Sequence, residues 1–330
     1  MTRDLDELVE AGDLNGLLRA VDGLCAARAW DDLLDLADRC EEALERGKQL
    51  WPIAAHIDYR IALEAPGEIA ARVLHPDLGR FAHGPLTEVV ASTHRWEELA
   101  PHVETPQLAA YIAQERVLRG EDLKDDARAH PEVLEMPLSL AAWEPTYTLA
   151  TFKADHVEVP EPFEPRIPMR ALAPDPAPVL EEPELVSALL DIVHPWTAES
   201  NGAAAAAVIE GNGARAAATL AYGPILIGPL DPPDALQRIA WAAASGGAHG
   251  RRRGAAYGRF MAWYVASLLT DVAWPPEPEV LGREIGGLRW YRWDEDAEEA
   301  GWILRLAVED ATHGWAAAIS ASDLVAEETE

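Results

Sequence analysis

Residues 136–162 read MPLSLAAWEPTYTLATFKADHVEVPEP, and the fold turns on this stretch. Before it, apolar residues recur every three or four positions. Within it they alternate with polar ones, and β-formers gather at Tyr147–Phe152, so the chain passes from helical to extended. Eight prolines follow between Pro160 and Pro183, which gives a semi-rigid, polyproline-like spacer. Residues 135–183 are therefore expected as an extended proline-rich arm or linker between a helical domain, 1–134, and an α+β domain, 184–330. Trp143, Tyr147 and Phe152 favour an arm that docks over a free linker, because large aromatics are seldom left in water.

On the N-terminal side, Leu14, Leu17, Leu18, Val21, Leu24 and Cys25 lay one apolar stripe on a helix that Asp13 can cap and that ends near Arg28. A second helix starts at Asp31 or Asp32, buries Leu33, Leu36, Ala37, Cys40 and Leu44, and stops at Gly47. Further helices fit 53–64, 67–74, 86–92, 96–103 and 107–119. Pro52, Pro66, Pro85 and Pro106 fall at first turns, where a missing N–H costs nothing. Short antiparallel helices in series suggest an irregular solenoid of the HEAT or tetratricopeptide kind. A fixed period is lacking, so a bundle stays open.

On the C-terminal side a short helix is expected at 183–193. Ala203–Ile209 and Ala214–Tyr222 flank Asn212-Gly213 and read as a β-hairpin. A strand fits 225–227, a helix opens at Asp231, Ser245-Gly246-Gly247 breaks it, and a second helix runs from about Gly250 to Leu269. Strands fit 288–293, 302–308 and 315–320. The fold class is α+β: a helical array followed by a mixed α+β domain.

The formal charge of −30 argues against nucleic acid, whose affinity comes from Lys and Arg on phosphates, and against anionic membranes. The opening MTRDLDELVE is acidic and polar, unlike a secretory leader. Cys25 and Cys40 fall on helix core faces as buried free thiols, so a cytoplasmic protein is expected.

Between Ala235 and Thr270 the charge inverts. The stretch has no acidic residue and carries Arg238, Arg251, Arg252, Arg253 and Arg259. It includes SGGAHGRRRGAAYGRF, 245–260, which admits three readings. Gly250, Gly254 and Gly258 fall every four residues, so on a helix they form a strip that lets another backbone approach. Alternatively Ser245, Gly246 and Gly247 lead into a helix N-terminus that, with Arg251, Arg252, Arg253 and Arg259, binds an anion. Third, Arg251-x-x-Gly254-x-Ala256 resembles the coenzyme A pyrophosphate loop of the GCN5-related N-acetyltransferases. That resemblance implies coenzyme A as cofactor and an acyl transfer. The combination of a helical array with this glycine–arginine segment also resembles uncharacterised proteins of high-GC actinobacteria, which implies no activity.

Other chemistry is sparse. His75, His83, His94 and His102 lack the spacing of a metal pair, and no metal is expected. His194, Glu199 and Ser200 supply a base, an acid and a hydroxyl in one segment, and Asp294–Glu299 is acidic enough to attract a hard cation. The sequence thus predicts a non-catalytic interaction protein. A protein partner is expected, together with an anionic small ligand or acidic segment held by the Arg/Gly stretch. An acyl-coenzyme-A-dependent N-acyltransferase is the alternative.

Overall fold

The computed structural model describes residues 2–75, 85–162, 164–173, 175–295 and 301–324. The chain forms two compact units, Met1–Leu134 with Ala150–Val159, and Glu135–Leu149 with Pro160–Glu330. The stretch 135–183 is thus shared between the units.

The first unit is an array of helices packed on helices one or two places away in sequence. They are α1 (Thr2–Ala11), α2 (Leu14–Ala27), α3 (Trp30–Glu45), α4 (Trp51–Glu64), α5 (Gly67–Ala70), α6 (Leu86–Thr93), α7 (Trp96–Leu99), α8 (Pro106–Leu118) and α9 (Pro131–Leu134). Strands β1 (Thr151–Phe152) and β2 (Val157–Glu158) add a small antiparallel pair. Asp13 caps α2, accepting from the Gly16 N–H at 2.9 Å, and Arg28 closes it in the left-handed region at φ 54°. Leu17, Val21, Leu24 and Cys25 are buried, but Leu14, Leu18 and Leu44 remain exposed, because the helices packed on α2 and α3 cover a narrower stripe than periodicity alone implies. The helix expected at 67–74 gives way to a 3-10 turn at Ala71–Val73, and that expected at 96–103 stops at Leu99. His83 lies outside the described residues.

Helix α4 is buried along most of its length, and Asp58 goes in with it. Burial pushes the Asp58 carboxyl up to about 7, and the like charges of Glu41 and Asp38 push the same way.

The second unit is built on a six-stranded, wholly antiparallel sheet in the order β3-β5-β6-β7-β8-β4. Its strands are β3 (Arg170–Leu172), β4 (Ala203–Glu210), β5 (Ile225–Leu230), β6 (Arg289–Glu295), β7 (Gly301–Asp310) and β8 (Trp315–Leu324). Its helices are α10 (Pro183–Asp191), α11 (His194–Ala198), α12 (Gly213–Leu220), α13 (Pro232–Ala244), α14 (Ala255–Leu269) and α15 (Pro278–Gly287). Alternate residues along each strand serve opposite faces. Helix α12 packs on the face made by Ile209, Ile225, Ile227, Trp293, Ala307 and Ala318. Trp290, Leu306, Val308 and Ile319 meet Leu189 of α10, Ile239 of α13 and Leu269 of α14 on the other. The architecture is α+β, as expected.

The hairpin expected around Asn212-Gly213 is not formed. Residues 213–220 are helix α12, and β4 pairs with β8 instead, from Ala203↔Ser322 to Glu210↔Trp315. The reason is local: the Asn212 side chain accepts from the Arg215 N–H at 3.1 Å, an N-cap, and the alanines that follow favour helix over strand.

Residues 135–149 are docked, through a buried pair of charges. Glu144 and Arg259 have no exposed side-chain surface, and both carboxylate oxygens take guanidinium donors at 2.7 Å. Arg259 also donates to the Pro137 and Ser139 carbonyls, both at 2.9 Å, while Tyr147 and Trp263 donate to Glu144 at 2.7 and 3.0 Å. Burial raises the Glu144 carboxyl, but Arg259 more than offsets this and leaves it below the usual carboxylate value.

Glu144→Gln is expected to remove about 3–5 kcal/mol of stability by leaving Arg259 charged and uncompensated. The loss is measurable by urea unfolding. The stability Glu144 contributes is complete above about pH 4.3, its unfolded value, and disappears as pH falls through its lowered folded value. Asp58 has the opposite sign. Between about pH 4 and its raised value the folded state holds the proton and the unfolded state does not. Asp58→Asn is therefore expected to gain on the wild type as pH rises to about 7 and to hold a constant advantage above it.

Candidate functional site

The arginine–glycine segment is a loop joining α13 to α14, and its donors are largely engaged by the protein itself. Helix α14 begins at Ala255, with Gly254 at its cap at φ 95°, so Gly250, Gly254 and Gly258 do not form one helical strip. The amides of Arg253 and Gly254 both donate to the Ala244 carbonyl, at 2.8 and 3.2 Å, which turns the chain before the helix can start. Arg251, Arg252 and Arg253 therefore precede the first turn, and Arg252 and Arg259 do not share a helical face. Gly246 and Gly250 are needed where the loop crosses itself, since a side chain on either would strike the other's carbonyl. Gly258 alone keeps the packing role, lying against the Ala240 carbonyl of α13.

Ser245 is 1% exposed; its hydroxyl accepts from Trp196 Nε1 at 2.9 Å and donates to the Ala242 carbonyl at 3.0 Å. The amide of Gly247, two residues on, points at the same oxygen at 3.3 Å. Arg251 is exposed, and its amide donates to Glu199 at 2.9 Å. Arg252 and Arg253 are half-buried, Arg253 lying over the Tyr257 ring and donating to its hydroxyl at 3.0 Å. Arg259 is the buried partner of Glu144. The candidates thus do not converge on one point.

Nor do His194, Glu199 and Ser200 assemble as a triad. The Ser200 hydroxyl donates to Asp323 at 2.9 Å, and Asp323 also accepts from the Ala248 amide at 2.6 Å, tying the loop to β8. His94 is buried, its ring nitrogens on the Val90 and Ala65 carbonyls. Of the acidic run 294–299, Asp294 and Glu295 are described, and Asp294 is engaged by Arg305. Among the described residues no group of three or more His, Cys, Asp or Glu is placed to hold a metal ion. No helix among them is long and apolar enough to cross a membrane.

Arg238, the first arginine of the basic stretch, lies in a different setting. With Trp241, three residues on and on the same face of α13, it lines a pocket of about 370 Å³ that also takes in Arg292, Asp294, Arg305 and Glu164. The pocket opens where the sheet splits. Pairing of β6 with β7 runs from Arg289↔Glu309 to Arg292↔Leu306, while β5 follows β6 to Glu295 and β8 follows β7 to Gly301. The volume is in the range of small-ligand sites.

Its charges are unevenly matched. Arg305 pairs with Asp294 at 2.5 Å, and Arg292 reaches the other oxygen of the same carboxylate at 3.7 Å. Arg292 also shares the carboxylate of Glu164 with Arg238, at 3.0 and 3.6 Å, and that carboxylate is 54% exposed. The longer distance is no hydrogen bond. Nε and Nη2 of Arg238 and Nε1 of Trp241 are buried without an acceptor. Burial, and then the like charge of Arg292, lower the Arg238 guanidinium from its usual value. An anion placed here would satisfy orphaned donors and relieve that repulsion at once.

Of this group, sequence reasoning noted Arg238 as part of the basic stretch and missed Arg292, Arg305 and Glu164. A signal existed for Arg305, since a lone charge inside the apolar run Ile303–Val308 must be buried with a partner.

Asp323→Ala is expected to lower stability by about 1–3 kcal/mol by leaving two donors unmatched. It should also speed hydrogen exchange at the Ala248 amide, while leaving the Arg238 pocket intact.

Neither the curated proteins nor the solved structures provide a match to this chain. A family pattern does match, over residues 15–324, and the chain belongs to that family of unknown function, DUF6183.

Proposed function

We propose that this is a non-catalytic binding protein whose α+β unit takes an anionic group into the pocket between the diverging strands β6 and β7. The observation that carries this reading is Arg238: a guanidinium whose Nε and Nη2 are buried without a hydrogen-bond acceptor, Nη2 having only the shared Glu164 carboxylate 3.6 Å away, beside a second guanidinium. Buried donors left without acceptors are uncommon in folded proteins, and an anion at this point would supply the acceptor they lack. The array of short helices supplies a surface for a protein partner in the same reading, on architectural grounds. Acyl transfer from coenzyme A has weaker support, because the loop that resembles a pyrophosphate cradle is entered from helix α13, and the Arg253 and Gly254 amides are spent on Ala244.

The test uses thermal unfolding with sodium phosphate and sodium benzoate as probes, at constant ionic strength. The wild-type midpoint is expected to rise with at least one probe, since a ligand of the folded state stabilises it. Arg238→Met is expected to abolish the rise. Its own midpoint without probe should equal or exceed that of the wild type, because the substitution removes a charge disfavoured by burial and by Arg292. No rise in the wild type with either probe, or an equal rise in the variant, overturns the reading.

A further inference from the structure

We infer that the group this pocket takes is the carboxylate of an extended acidic peptide, and that Glu164 is its stand-in within the same chain. The inference rests on the anion-site reading above and names its ligand.

Glu161, Pro162 and Glu164 line the pocket, from a sequence, Glu161-Pro-Phe-Glu-Pro165, in which prolines alternate with acids. Peptides of such composition favour an extended chain with no internal hydrogen bonds to lose on binding. A few residues on, the same segment becomes β3 and pairs with β5, Arg170 opposite Ile227. It lies tightly there: a Cβ on Gly228 would come within 2.9 Å of Met169 Sδ and of the Pro168 carbonyl. Gly228 is in turn the register partner of Arg292. The missing side chain at Gly228 therefore fastens the arm directly beside the arginine that Glu164 reaches. The anchor and the contact are close in sequence, so Glu164 acts at high effective concentration.

The contact itself is weak. Glu164 is half-exposed and shared, and exposed ion pairs contribute little. A second carboxylate can replace it while the arm stays anchored at β3. Charge points to a carboxylate over a phosphate dianion. Three arginines, Arg238, Arg292 and Arg305, face three carboxylates, Glu161, Glu164 and Asp294, so displacing Glu164 frees one positive charge, which suits one carboxylate and leaves the second charge of a phosphate dianion unmatched.

The experiment titrates the acetylated, amidated pentapeptide Glu-Pro-Phe-Glu-Pro into the full chain by calorimetry. Glu164→Gln is expected to bind it at least about tenfold tighter than the wild type, because the internal competitor is gone. Glu164→Ala gives the same gain by a second route, and melting curves establish that both variants are folded. A peptide with Gln in place of its second Glu is expected to lose binding to all three proteins. If the peptide binds wild type and variants equally, Glu164 is no stand-in and the inference fails. If phosphate or benzoate stabilises the protein through Arg238 while the peptide binds no form of it, the ligand is a small anion; the inference fails and the anion site stands. If nothing binds any form, both fall.

Discussion

Glu144 and Arg259 face each other with no access to water, and much of the second unit is placed by that contact. Neither charge tolerates burial without the other, so residues 135–149 and helix α14 are held as one piece. The Pro137 and Ser139 carbonyls accept from Arg259, and the Tyr147, Trp263 and Ala141 donors complete the shell of Glu144. Helix α14, held in this way, lies against α13 where Gly258 admits the Ala240 carbonyl. Helix α13 carries Arg238 and Trp241 on one face. The pocket is thus reached through a succession of close contacts, each of which depends on the one before.

A protein of net charge −30 repels anions at long range, and an exposed basic patch on it would be neutralised by its own surface. A recessed pair of guanidiniums avoids this. Water is partly excluded, so Arg238 and Arg292 act at a low effective dielectric, and the acidic exterior is screened at physiological salt. The same recess sets the limits on a ligand. Three arginines face Glu161, Glu164 and Asp294, so the lining is balanced, and an anion that displaces Glu164 meets one unmatched positive charge. The split between β6 and β7 gives the pocket its room, since a continuously paired sheet has no gap there.

Much of the fold was legible because its signals are local. Apolar periodicity marked α2 and α3, proline at first turns marked α4 and α8, and the strands at 288–293, 302–308 and 315–320 correspond to β6, β7 and β8. Errors arose where two local signals compete. Asn212-Gly213 serves a hairpin turn or a helix cap, and the alanines after it decided for the cap. The glycines at 250, 254 and 258 suit a helical strip or a loop, and the Ala244 carbonyl, which captures two amides, decided for the loop at the first two. The candidate site was legible only in Arg238.

Residues 136–162 by themselves determined that a helical array ends and an extended, docked segment begins, because alternation, proline and aromatic content are properties of neighbours in sequence. Which arginine is buried, which shares a carboxylate and which keeps donors unmatched was decided by the tertiary structure alone. Arg238, Arg292 and Arg305 come from one helix and two strands, and Glu164 from the arm. Their electrostatic roles depend on distances and solvent exposure that no sequence spacing encodes. Five arginines in the basic stretch look alike in sequence. Burial beside Glu144 makes Arg259 a structural clamp, and burial beside Arg292 makes Arg238 the candidate ligand group.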